Sequence, residues 1–163
     1  YIVFPVQYFL TGIGEGVQPL ISFYHGAKKE MEVRAVKKIA YTAEIIFGIT
    51  AAAVTICMIP YIGGWFGLSA ESKQCFSSGM LISSFAFLLT GTAKLNVSCL
   101  NAVMQTKKAV FMTYIESLAV SPICLFLLPA VWDIRGIWLA LPVTAGIMTG
   151  IYGLIRKDRK NEE

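Results

Sequence analysis

Four ionisable side chains stand inside otherwise apolar sequence, and through them this chain could do chemistry: Glu15, Glu44, Lys94 and Glu116. Glu15 sits among glycines, and four residues later Pro19 withholds the amide that would have bonded its carbonyl, so the helix is expected to bend or loosen beside the acid. An ionisable group next to a loosened backbone can exchange H⁺ or Na⁺ during a conformational cycle. Lys94 is costly if it faces lipid, about 2.5–3.5 kcal/mol or more at mid-bilayer, so it must face protein or water.

Helical periodicity sorts these residues into faces. At about 100° per residue, Tyr8, Thr11, Glu15, Gln18 and Ser22 share one sector, opposite Leu10, Ile13, Val17, Leu20, Ile21 and Tyr24. Ser83, Thr90, Lys94, Ser98, Asn101 and Gln105 share another, with Phe87 as the apolar interruption. Gly12 and Gly16 form a small-residue pair beside the first sector, suited to close approach of a neighbouring backbone. Counted from the cationic ends of their runs at about 1.5 Å per residue, Glu15, Lys94 and Glu116 lie at similar depth, roughly 10–17 Å in. The expectation is that Lys94 pairs with Glu15, Glu116 or both in a shared polar cavity. A static ion pair that locks the bundle is the competing reading. Glu44, about five residues inside its run by helical position, is expected to snorkel to the interface.

The elements that must position these groups are long apolar helices. Hydrophobic residues make up 56% of the 163 residues and charged ones 15%, and mean hydropathy is +0.64, a balance typical of membrane proteins. Five apolar runs cover approximately 1–24, 39–66, 77–105, 109–132 and 136–155, each near the ~20 residues that a helix needs to cross the hydrocarbon. A soluble five-helix bundle would carry charge along an outer stripe, which these runs lack. The fold expected is therefore all-α, a polytopic membrane protein with five transmembrane helices and a charged cytoplasmic tail at 156–163.

Lys and Arg alternate in density between connections. The 25–38 connection holds Lys28, Lys29, Arg34, Lys37 and Lys38, the 105–109 turn holds Lys107 and Lys108, and the tail holds Arg156, Lys157, Arg159 and Lys160. The 67–76 and 132–136 connections have one cation each, Lys73 and Arg135. The positive-inside rule puts the rich side and the C-terminus in the cytoplasm, in a cell (plasma or inner) membrane. The net charge of +4 is then a topological signal and implies no nucleic-acid partner. The odd number of crossings, and a first residue that is Tyr1, lead to the expectation that an N-terminal part of the same polypeptide precedes this stretch.

Other chemistry has little to stand on. Cys57, Cys75, Cys99 and Cys124 lack the spacing of a zinc or redox motif, and His25 is the lone histidine. There is no P-loop and no nucleophile–base arrangement. No enzyme activity, metal or cofactor is expected, apart from a coupling H⁺ or Na⁺.

Several stretches are similar to one transporter family. Gly12, Gly16, Gln18, Pro19, Ile21, Ser22, Tyr24, Gly26 and Ala27, followed by a basic loop, resemble the end of the eighth helix of multidrug and toxic compound extrusion (MATE) transporters. Asn101, Ala102 and Gln105-Thr106-Lys107 resemble the end of the tenth helix, Pro122 and Leu128-Pro129 the eleventh, and Gly136-Ile137-Trp138-Leu139-Ala140-Leu141-Pro142 the entry to the twelfth. The resemblance implies a twelve-helix parent of two six-helix lobes, this chain being the last five helices of the second lobe. It implies efflux of small cationic or amphipathic drugs and metabolites by cation-coupled antiport, with Glu15 and Gln18 as cavity candidates; the polar faces read above add Ser22, Lys94, Asn101 and Glu116 as expected pathway residues. A lipid-linked oligosaccharide flippase of the same superfamily, and a non-transporting structural membrane subunit, are the alternatives.

Overall fold

The computed structural model describes residues 3–67 and 69–162, with side-chain surroundings for all of these except 63, 70, 71 and 156–162. The start of the first expected span, Tyr1 and Ile2, and the side chains of the tail lie outside the described residues. The described residues form helices and short turns: α1 (Val3–Gly26), α2 (Glu30–Trp65), α3 (Ala70–Ala102), α4 (Thr106–Tyr114), a π-helical segment (Ile115–Val120) and α5 (Ser121–Glu162). Stretches within 30–62, 72–102 and 106–155 are long and apolar enough to cross a membrane.

Helices extend beyond the apolar runs because helix formation needs no apolar side chain. The basic stretch before residue 39 is helical, and its first turn carries Glu30 and Glu32, where acids complement the helix N-terminus. The connection between α1 and α2 therefore shrinks to 27–29. It closes as a Schellman turn, with Lys28 N–H donating to the His25 carbonyl and Lys29 N–H to that of Tyr24. The α3–α4 connection repeats it, with Met104 N–H on Asn101 and Gln105 N–H on Leu100. Lys28 (φ 56°) and Met104 (φ 60°) take the left-handed conformation those turns require. At the other end of α3, Ser69 caps the helix by accepting from Ser72 N–H at 3.3 Å.

A straight helix over 106–162 would run about 85 Å, far beyond any bilayer, and the chain instead folds back. Trp132 (φ −123°, ψ 19°) and Asp133 (φ 49°, ψ −137°) leave helical geometry. A Cβ on Gly136 would meet the Leu128 carbonyl, eight residues back and about 12 Å away in a continuous helix. Ala145 and Met148 consequently return to pack with Ala109 and Met112 of α4 and Ala93 and Leu100 of α3.

The π-helical segment leads directly into Pro122, which has no N–H for the carbonyl four residues back and whose ring crowds it. A wider turn at that place relieves both problems.

α3 is the central element. α1 and α2 pack on one side of it and on each other, while α4 and α5 pack on the other, with the π-segment packed on α4 and α5 and joined to α3 through Glu116. Ile21, Val33, Ala40, Leu95 and Cys99 form the first core, and the α3–α4–α5 contacts above form the second. Large apolar side chains cover the exterior, among them Phe23, Ile46, Tyr61, Phe111, Phe126 and Leu154. A surface this apolar is suited to lipid.

One expectation about α1 is corrected. The close approach is made at Gly14, where a Cβ would lie 2.9 Å from Ser98 Oγ, whereas Gly12 and Gly16 have nothing within 4 Å of that position. The reason is angular: Gly14 shares the packing face of Leu10 and Ile21, and the other two glycines flank it. Pro19 lies inside α1, which continues through it to Gly26.

Candidate polar furrow between α1, α3 and the π-helical segment

Contacts on α1 locate its polar sector. Leu10, Gly14 and Ile21 face α3, and Phe9 stacks on Phe47 of α2 with centroids 4.3 Å apart. At 100° per residue, Thr11, Glu15, Gln18 and Ser22 therefore occupy the flank of α1 turned away from α2.

The contacts on α3 divide its faces in the same way. Gly91, Leu95, Ser98 and Ala102 meet α1, Leu88 meets Gly48 of α2, and Gly79 meets Trp138 of α5. The sector with Ser83, Thr90, Lys94 and Asn101 falls between the α1-facing and α5-facing lines. Both polar sectors thus border one furrow, with α3 as its floor and α1 and the π-segment as its sides. Ser83, Phe87 and Thr90 are buried at its closed end, and from Lys94 toward the Schellman turns it opens.

Lys94 Nζ donates to Glu116 Oε1 at 2.8 Å, the lysine side chain 37% and the glutamate 18% exposed. The π-segment carries Glu116 in its first turn, so the widened backbone is what presents the acid to α3. Lys94 and Glu116 are brought together, while Glu15 is exposed and stands outside that pair. α1 and α3 run parallel, Leu10 opposite Gly91 and Gly14 opposite Leu95, so Glu15 lies level with Lys94 on the facing wall. Gln18 and Asn101 are partly exposed. Ser22 Oγ donates to the Ala102 carbonyl at 3.0 Å, tying the walls at the turn end.

Glu44 departs from its expectation. It does not snorkel: it is 2% exposed, and its Oε1 has no hydrogen-bond partner. Gly91 admits it, since a Cβ there would collide with Glu44 Oε2. Sequence reasoning also passed over Asn96, which accepts from the Tyr41 hydroxyl across α2 and α3. A Gly in one apolar run and an acid in another carry no mark of their pairing.

At the opposite end, a cavity of about 580 Å³ lies between the start of α3 and the fold-back, bordered by Cys75, Trp132, Asp133, Arg135 and Trp138. Among the described residues no group of three or more His, Cys, Asp or Glu could hold a metal ion. Cys99 and Cys124 are buried, and Cys57 and Cys75 are exposed thiols. Compared with protein-family models, with curated proteins and with solved structures, the chain has no match in any of the three.

Proposed function

We propose that this chain is part of a membrane transporter, the second lobe of a MATE-like secondary antiporter that exports cationic or amphipathic compounds in exchange for H⁺ or Na⁺. The observation that carries the reading is the furrow: an ion pair and an unpaired carboxylate at one depth, bordered by polar side chains, inside a molecule whose exterior is apolar. Solvent-facing charge at that depth has little structural use, and it is where a small cation could be met. In this reading the helical arms 3–26, 30–65, 70–102, 106–131 and 134–155 make five crossings, with both Schellman turns and the C-terminus in the cytoplasm. Cys75 then faces outward, and an impermeant maleimide should label it in intact cells. Labelling only after permeabilisation would reverse the orientation.

The functional test is efflux of a cationic dye from cells or vesicles carrying the full polypeptide. Glu15→Gln should slow initial efflux about tenfold, the kinetic equivalent of ~1.4 kcal/mol, at unchanged membrane abundance. Native-like efflux by the variant would remove Glu15 from the pathway, and absence of efflux from the unmodified protein with any dye would favour a flippase or a structural subunit.

A further inference from the structure

Glu44 is the least accommodated polar group of the molecule. Among the described residues the buried side-chain oxygens without a hydrogen-bond partner are Glu44 Oε1 and Thr90 Oγ1, and Thr90 adjoins the Gly91 against which Glu44 packs. The carboxyl is held where α1, α2 and α3 meet. The position of a Cβ on Gly91 lies 3.2 Å from its Cδ and 3.0 Å from Leu10 Cδ2, so glycine alone leaves room for it.

No countercharge faces this carboxyl. The packing face of α1 offers Leu10, Gly14 and Ile21, and α3 offers Leu88, Gly91 and Leu95. On α2 the nearest titratable neighbour is Tyr41, one turn back, whose hydroxyl donates to Asn96. Lys37 is about 10 Å from Glu44 along the helix axis. Lys94 is bonded to Glu116 on a different sector of α3, and α5 comes near α2 at its Lys37 end, where Tyr152 and Ile155 border the same pocket, two turns from Glu44. The two ion pairs within 4 Å among the described residues, His25–Glu30 and Lys94–Glu116, both omit Glu44. An ionised carboxylate here would forfeit its hydration with no compensating donor or cation, whereas the neutral acid forfeits far less.

We propose that Glu44 is a proton-binding site at the α1–α2–α3 junction, loaded when these helices are packed together and emptied when they part. Loading forms one O–H bond on the carboxylate with a proton taken from water, and release returns that proton to water once the junction is wetted. The proton then stabilises the packed arrangement, so protonation and helix packing are linked. Use of this linkage for coupling rests on the transporter reading, but the protonation is measurable without transport.

The test is infrared difference spectroscopy of the full chain in phospholipid nanodiscs, following the carbonyl stretch of protonated carboxylic acids between neutral and alkaline pH. A band is expected at neutral pH that bleaches reversibly as pH rises, is absent from Glu44→Gln, and persists in Glu15→Gln and Glu116→Gln. Gly91→Ala should shift or abolish it, because the added Cβ takes the carboxyl's place. As a second measurement on the unmodified protein, a hydrophobic carbodiimide, which reacts with protonated acids in apolar surroundings, should modify Glu44 at low pH and several-fold less at high pH. No band, a band untouched by Glu44→Gln, a band unchanged at every pH at which the chain stays folded, or carbodiimide adducts only on other acids would each overturn the proposal. A pH-dependent Glu44 band without dye efflux would sink the transporter reading alone, and efflux without the band would sink the proton site alone.

Discussion

Lys94→Met should destabilise the folded chain by about 1–3 kcal/mol and abolish dye efflux. Removing one partner of a fully buried pair costs about 3–5 kcal/mol because the remaining charge is stranded, while an exposed pair is worth about 0.2–1 kcal/mol. The exposures of Lys94 and Glu116, 37% and 18%, put this pair between those limits. What makes the loss is the orphaned Glu116 carboxylate, so Lys94→Met with Glu116→Gln should recover most of the stability. Unfolding by denaturing detergent in mixed micelles measures all three proteins. A double variant no more stable than the single one would show that the ion pair is energetically idle. The two readouts separate the roles: stability restored with efflux still absent points to transport through the furrow, and both restored together points to a structural lock.

Gly136→Ala should cost about 3 kcal/mol or more, because its Cβ would run into the Leu128 carbonyl, which belongs to the backbone and cannot rotate aside. The consequence spreads from the bend at Trp132 and Asp133 to the whole α3–α4–α5 core, since the second arm of α5 reaches Ala109 and Met112 only if the chain folds back there. Gly150→Ala is the control. That position has nothing within 4 Å of the new atom, so alanine's better helix propensity should leave stability unchanged or raise it by up to ~1 kcal/mol. Equal detergent-unfolding midpoints for the two variants would mean that the fold-back at 132–136 is not as described.

Helical class, apolar character and the sectors on which Glu15, Lys94 and Asn101 fall were legible in the sequence, because periodicity along a helix is a local property of one segment. The helical ends were less so. Residues 30–38 are too charged for an apolar run, yet they are good helix formers with acids at the N-terminal turn. The widened turn at Ile115–Val120 has a signal in Pro122, although a proline alone does not say whether the backbone will kink, break or widen.

What the sequence determined by itself, then, is which residues share a face. What the tertiary structure decided is which faces meet. Gly14 rather than Gly12 or Gly16 became the contact glycine, Glu116 rather than Glu15 became the partner of Lys94, and Glu44 turned inward onto Gly91. Each outcome depends on the rotation of one helix against another, set by summed packing over many side chains distant in sequence. α3 shows this most clearly: it is surrounded on several sides, so its polar sector is recognisable as a furrow only once α1 and the π-helical segment stand beside it.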